Sequence, residues 1–203
     1  MNPKPAIVLF LIILATSLAA PAIAQEFNFK VYSVNNGMPH SQIHDITQTH
    51  DGFIWFATLG GGLTRFDGTN FTSYTKKDGL NNDLVEVVFQ DSRKRLWVTT
   101  EGGGIFRFEQ NKFVKAFPED SLEDVTVLNI YERENGNLWF ATYESGILIY
   151  DGEQLQKLRV EDGLNTNTVW DFWETGQGEM LIATHYGLTV YDGDNFKSYT
   201  LED

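Results

Sequence analysis

From residue 37 onward, the apolar positions fall into short runs of about four to seven residues, rich in β-branched and aromatic side chains and bounded by Gly, Asp or Asn. The first set comprises Ile43 to Thr49, Phe53 to Thr58, Leu63 to Phe66 and Phe71 to Thr75. None of these runs sustains a 3.6-residue period, so the pattern predicts strands rather than helices. The set then recurs. Trp55, Trp97, Trp139 and Leu181 stand 42 residues apart in turn, and a period so regular indicates a repeat architecture. Dividing the chain at Gly37, Gly79, Ser121 and Gly163 gives units 37–78, 79–120, 121–162 and 163–203, the last one residue short in its His185-Tyr186-Gly187 turn.

The connectors suit hairpins. Asp51-Gly52 and Asn135-Gly136 are dipeptides favoured where tight turns need positive φ, and Asp67-Gly68, Asp151-Gly152 and Asp192-Gly193 separate the third and fourth runs. Four short antiparallel strands in roughly 40 residues describe a propeller blade. The predicted fold is therefore all-β: a β-propeller with four blades of four antiparallel strands. A β-sandwich is the alternative, but it has no reason to repeat its sequence at a fixed period.

Several columns of the repeat are apolar in every copy: Ile43, Val85, Val127, Val169; Ile46, Val88, Ile130, Phe172; and Leu63, Ile105, Ile147, Leu188. Stacked blades cover both faces of a strand, so these columns are expected to be core. The recurring tryptophans are read as blade-to-blade packing rather than as a ligand platform.

Residues 1–24 are set apart. Lys4, the apolar run Ala6 to Ala20 and the small-residue pattern Ala22-Ile23-Ala24 read as a signal peptide cut after Ala24, which implies a periplasmic or secreted protein. Within 25–36, Phe29 and Tyr32 keep the register of Phe71 and Tyr74, so Asn28 to Ser33 is expected to form an outer strand without its own blade. Five outer strands for four sets of inner strands do not close a ring. The expected architecture is thus an incomplete, truncated propeller.

With 42% hydrophobic and 14% aromatic residues, the chain has ample material for a packed core. A net charge of −13 without a Lys/Arg cluster argues against nucleic acid or an anionic membrane surface as partner. There is no cysteine, which excludes disulfides, thiol nucleophiles and zinc-thiolate sites. No phosphate loop, nucleophile elbow or metal-protease helix appears, so neither a cofactor nor a catalytic residue is expected.

The unit runs Gly-Leu, a Val-x-x-Ile strand, a Gly-x-Leu-Trp strand ending in Ala-Thr or Thr-Thr, a Gly-Gly-Leu strand and an Asp-Gly turn. It resembles the two-component regulator propeller repeat, most clearly in Gly79 to Asp91, Leu96 to Gly104 and Asn137 to Gly152. The resemblance covers residues 25–203. It implies an extracytoplasmic sensor input, often for polysaccharide fragments, whose further blades, membrane span and kinase or cyclase output would lie outside these four units.

Antiparallel order places the loops between second and third strands on the same side as the loops that lead into each blade. The repeats differ most on that side, and unlike tips on a repeated scaffold are how a binding face is built. Aromatic rings stack on the apolar face of a pyranose while polar groups take its hydroxyls. The candidate ligand-binding residues are accordingly Tyr143, Glu144, His185, Tyr186, Trp170, Trp173, His40 and Glu101, with a carbohydrate as the expected ligand. Two other readings stay open: a secreted scaffold that holds a protein partner, and a propeller glycan lyase or hydrolase. His40 and His44, four residues apart on a strand, do not make a metal site, and Asp192 to Asn195 reads as a turn.

Overall fold

A computed structural model describes residues 28–117, 122 and 124–200. The signal-peptide reading of residues 1–24 lies outside the described residues, as does Glu123 in the loop leading into the third unit. The chain forms two units, Met1–Val31 and Tyr32–Asp203. In the first, residues 28–31 adopt neither strand nor helix.

The second unit consists of four consecutive meanders. Blade 1 holds β1 (Ile43–Gln48), β2 (Ile54–Thr58), β3 (Gly62–Phe66) and β4 (Phe71–Tyr74); blade 2 holds β5 (Val85–Gln90), β6 (Leu96–Thr100), β7 (Ile105–Glu109) and β8 (Lys112–Lys115). Blade 3 holds β9 (Thr126–Glu132), β10 (Leu138–Tyr143), β11 (Ile147–Tyr150) and β12 (Leu155–Leu158); blade 4 holds β13 (Val169–Glu174), β14 (Met180–Thr184), β15 (Gly187–Tyr191) and β16 (Phe196–Tyr199). Each set pairs antiparallel in chain order. This is the all-β, four-by-four blade architecture that the repeat predicts.

Side-chain alternation gives every blade two faces. On blade 1, one face carries Trp55, Ala57 and Leu63 into a buried cluster with Val85, Val88, Val98 and Phe106 from the facing side of blade 2. The pattern repeats between blades 2 and 3, where Trp97 and Ile105 meet Val127, Ile130 and Phe140, and between blades 3 and 4, where Trp139 and Ile147 meet Val169, Phe172 and Ile182. Trp55, Trp97 and Trp139 are at most 3% exposed. Each is clasped by aromatic rings. Trp55 stacks on Tyr74 of its own blade at 5.7 Å and meets Phe108 of the next edge-on at 5.4 Å. Trp97 does the same with Phe117 at 6.1 Å and Tyr150 at 5.9 Å.

Polar groups stitch the same interfaces. The backbone N–H groups of His50, Ser92 and Glu134, equivalent positions in successive turns, donate to Gln90 Oε1, Glu132 Oε2 and Glu174 Oε2 of the next blade at 2.7, 2.7 and 2.9 Å. Arg133 adds two bonds to Glu174 Oε1 at 2.8 and 2.6 Å, and its guanidinium lies 5.4 Å from the centre of the Trp139 ring. Arg133 occupies the place where Thr49 and Asp91 accept the indole N–H of Trp55 and Trp97. An arginine accepts nothing, so the Trp139 indole N–H is buried without a partner.

The three Asp-Gly turns between third and fourth strands are each closed by their aspartate. Asp67 accepts from Thr69 N and Asn70 N, Asp151 from Glu153 N and Gln154 N, and Asp192 from Asp194 N and Asn195 N, all within 2.6–2.9 Å. These backbone donors, Asn70, Gln154 and Asn195 foremost, hold the three carboxyls below their ordinary value of 3.8.

Two expectations need correction. Residues 28–33 form no strand, because the outer edges of β3, β7, β11 and β15 are already taken by the fourth strands of their own blades. Tyr32 nevertheless holds the expected register: its ring lies 5.0 Å from Phe66 and 5.6 Å from Phe71, as Tyr74 lies 5.2 Å from Phe108 and 5.8 Å from Phe113. The apolar columns are also not core throughout. Ile43 and Ile46 are 42% and 58% exposed on blade 1, and Leu188 is 38% exposed on blade 4, while their counterparts in the other blades are buried. Each exposed residue sits on a face that no described blade covers.

Trp97→Ala should therefore lower unfolding free energy by about 3–5 kcal/mol, whereas Trp173→Ala, on the open face of blade 4, should change it by no more than about 0.5 kcal/mol; denaturant titration of both variants checks the contrast. The turn carboxylates predict the acid limb. Their depressed folded-state pKa means that they stabilise above the unfolded-state value near 3.8 and lose that contribution as pH falls through the lower folded-state values. The triple variant Asp67→Asn, Asp151→Asn, Asp192→Asn should thus show a flatter fall of melting temperature below that pH than the parent chain.

Candidate ligand-binding site

Every second strand carries a buried threonine at or next to its end, and in blades 1, 3 and 4 its hydroxyl secures the tip that follows. Thr58, Thr142 and Thr184 donate to the carbonyls of Gly62, Gly146 and Gly187 at 2.7, 2.6 and 2.9 Å. Those glycines have φ of 74°, 82° and 125°, and a Cβ on any of them would run into the backbone carbonyl of the adjoining fourth strand. The tips between threonine and glycine are thus anchored at both ends and free to differ in the middle. Blade 3 carries Tyr143-Glu144-Ser145 there and blade 4 carries only His185-Tyr186. Glu144 itself sits in the left-handed region at φ 59°, a conformation that costs a non-glycine residue about 1 kcal/mol or more.

The loop leading into blade 4 is tied to both tips. Gly146 N donates to Asn167 O at 2.8 Å, Glu144 N to Thr168 Oγ1 at 3.3 Å and His185 N to Thr168 O at 3.1 Å. Together these segments line a pocket of about 450 Å³ bounded by Tyr143, Glu144, Asn165, Asn167, His185 and Tyr186, with Val160, Thr166 and Thr168 completing it. Tyr143 and Tyr186 are 49% and 62% exposed, so their rings stand open at the rim. The His185 ring meets Tyr186 edge-on at 5.0 Å and Trp170 at 6.4 Å. Trp170 reaches that row because β13 has a register shift between Val169 and Asp171, an irregularity found at the equivalent place in β1 and β5; such bulges re-aim a side chain.

Asn165 was not anticipated from sequence. Both of its amide atoms are buried without a protein partner. The reason lies in the short tip. Its counterpart Asn81 in blade 2 accepts from Thr100 Oγ1 at 2.5 Å and donates to the Gly103 carbonyl. Blade 4 lacks one tip residue, and Thr184 donates to Gly187, as Thr58 and Thr142 donate to Gly62 and Gly146, so Asn165 has neither contact. The missing residue was visible in the 41-residue unit; its effect on Asn165 was not.

Of the eight sequence candidates, Tyr143, Glu144, His185 and Tyr186 line this pocket, and Trp170 touches it through His185. The other three lie elsewhere. Trp173 pairs across the sheet with Leu181 on the open face of blade 4, away from the tips. His40 packs near Gly60 and Gly61 beside blade 1, and Glu101 joins the loop leading into blade 2 through Asn82 Nδ2 and Leu84 O. His44 pairs with Glu86 Oε2 of the next blade at 2.7 Å. Among the described residues no group of three or more His, Asp or Glu side chains could hold a metal, and no helix is long and apolar enough to cross a membrane.

The pocket has one carboxylate, Glu144, and no Lys or Arg among its lining residues. It offers rings, amides and hydroxyls, which suit a neutral polyol better than an anion. A second cavity of about 250 Å³ lies between blades 1 and 2 at the other end of the strands, lined in part by His50, Phe53, Arg65, Gln90 and Lys94. The Arg65 guanidinium lies 4.5 Å from the centre of the Phe53 ring there.

Comparison with known proteins agrees with this architecture. The family described as two component regulator propeller matches residues 37–60 and 121–144. No curated protein matches the chain. Among solved structures it is similar to the extracellular domain of the hybrid two-component system BT3049 of B. thetaiotaomicron, with 24% identity and a TM-score of 0.74 over 86% of this chain and 26% of that one. The extracellular domain of the hybrid system BT4673 of the same organism follows with 19% identity and a TM-score of 0.64, over 81% of this chain and 25% of that one. Virginiamycin B lyase from Staphylococcus aureus, at 15% identity and a TM-score of 0.58, is matched over 78% of this chain and 55% of its own. The chain thus spans about a quarter of the two sensor domains, and at these identities the likeness is one of fold. The matched segments each begin a unit and run through its first two strands, so the chain is a β-propeller in which two of the four units match the two component regulator propeller repeat.

Proposed function

We propose that the chain is part of an extracytoplasmic ligand-sensing propeller in two-component signal transduction, and that its ligand is a neutral oligosaccharide bound between the tips of blades 3 and 4. The observation that carries this reading is the pocket itself. It forms where the repeats stop agreeing, from two exposed tyrosines, a histidine and amides on a rigid frame. Rings of this kind stack on the apolar face of a sugar, and amides and hydroxyls take its hydroxyl groups. The similar extracellular domains of hybrid two-component systems support the sensor role, and the signal-peptide pattern of residues 1–24 supports export. The role is that of an input domain.

Calorimetric titration with neutral and uronic-acid oligosaccharides tests the proposal. A neutral glycan should bind, and Tyr143→Ala or Tyr186→Ala should weaken it at least about tenfold, with the melting temperature of the free protein unchanged. Binding of no neutral glycan, or equal binding by the tyrosine variants, overturns it. Asn165 supplies a separate check. Replacing an unpaired buried amide by an apolar group of similar size, Asn165→Leu, should raise unfolding free energy by about 1–2 kcal/mol while weakening the glycan, a trade of stability against binding that denaturant titration and calorimetry measure together.

A further inference from the structure

Each interface between neighbouring blades sets an arginine near its tryptophan. The guanidinium of Arg65 lies 5.8 Å from the centre of the Trp55 ring, that of Arg95 5.1 Å from Trp97 and that of Arg133 5.4 Å from Trp139. Two of these cations are neutralised where they stand. Arg95 pairs with Asp91 at 2.5 Å, and Arg133 with Glu174 at 2.6 Å. Arg65 pairs with no carboxylate among the described residues, and its N–H donors have no hydrogen-bond acceptor among them. Asp67, two residues on, is bonded instead to the backbone N–H groups of Thr69 and Asn70.

The repeat identifies what is missing. At the position of Asp91 blade 1 has Thr49, and at the position of Glu132 and Glu174 blade 2 has Gln90. Gln90 Oε1 still accepts from the His50 N–H at 2.7 Å, as the two glutamates accept from Ser92 N and Glu134 N. The amide thus keeps the backbone bond and gives up only the charge. Beside it the chain adds a second cation. Lys94 stands where the other three blades have Gly52, Gly136 and Gly178, and it keeps their left-handed backbone at φ 65°. That conformation is unfavourable for a lysine, and residues held in it cluster at ligand sites.

Arg65 and Lys94 both line the cavity of about 250 Å³ between blades 1 and 2, with the rings of Phe53, Trp55 and Phe108. Its walls are two described blades of this chain. Asp51 is the one carboxylate of the lining, and it accepts from Thr49 Oγ1 at 2.5 Å. Two cations against one carboxylate leave a single positive charge, with His50 neutral, in a chain of net charge −13.

We propose that this cavity binds a small organic carboxylate. Its anionic group takes the place of the carboxylate absent beside Arg65 and meets Lys94, and its body lies against Phe53 and Phe108. A single net charge suits a monoanion, and charge-assisted bonds to a guanidinium favour a carboxylate. Aromatic walls favour an anion with an apolar or ring body over an inorganic ion. The volume lies below the roughly 300–1,000 Å³ of sites for drug-sized ligands, which limits the occupant to about one ring. The site is separate from the pocket between blades 3 and 4 and does not rest on the function proposed for that pocket.

Calorimetric titration of the full chain with benzoate and glucuronate tests this, with benzyl alcohol, glucose and sulfate as neutral and inorganic controls. At least one carboxylate should bind 1:1, about tenfold or more tighter than its neutral counterpart and than sulfate. Lys94→Gly, which installs the residue of the other three blades, should weaken that binding at least about tenfold without lowering the melting temperature. Gln90→Glu, which installs the residue of the next two interfaces, should abolish it while raising the melting temperature, because the missing negative charge is then internal. Lys94→Gly carries the test if Gln90→Glu fails to fold. Binding of neither carboxylate, sulfate binding as tightly as both, or undiminished binding by the folded variants overturns the proposal. So does binding lost with Tyr143→Ala and retained by Lys94→Gly, which places the carboxylate between blades 3 and 4.

Discussion

The fold depends on the burial of one sheet face against the next. A single four-stranded meander is thin and has no interior of its own; its hydrophobic residues leave water only when another meander covers them. Trp55, Trp97 and Trp139 supply the largest side chain in each interface; the first two are held between an aromatic ring of their own blade and one from the next, and Trp139 lies against two rings of the next blade, Phe172 and Tyr191. The smaller columns, Ala57 and Ala141 among them at 0% exposure, let the sheets approach closely around each indole. Removing a blade therefore exposes its neighbours' cores rather than simply shortening the protein.

That dependence separates the parts of the repeat that are held constant from those that vary. In blades 1, 3 and 4 the threonine and glycine at either end of the tip are tied by a hydrogen bond and give the chain little latitude, whereas Tyr143 and Tyr186 between them face water. The pocket between blades 3 and 4 forms in this unconstrained zone, and its least ordinary feature comes from one missing residue. The shorter tip of blade 4 removes the carbonyl that Asn81 uses in blade 2, and Asn165 is left with an unused donor and acceptor beside a ligand-sized space. Natural folds rarely keep such a group unpaired without a use for it.

The open faces follow from the same rule. Ile46 and Phe172 occupy one column of the repeat and share an apolar character, yet one is 58% exposed and the other 4%. The difference lies wholly in what stands opposite. Tyr32 makes the point in miniature: its ring lies against Phe66 and Phe71 as that of Tyr74 lies against Phe108 and Phe113, although residues 28–33 form no strand.

The strands, their order and the blade architecture were legible from the linear pattern because they follow from local rules: alternation along a strand, turn chemistry at Asp-Gly, and a period of 42 residues. The side of the blades that carries the variable tips was legible too, since antiparallel order alone decides it. Four of the eight candidate residues come together in one pocket for that reason, while Trp173, His40 and Glu101 were drawn in by residue type and lie apart. The linear pattern could not say which copies of a column are buried, which bulge turns Trp170 toward His185, or that Asn165 is stranded. Each of those depends on atoms brought together from different blades, and only the tertiary structure decides them.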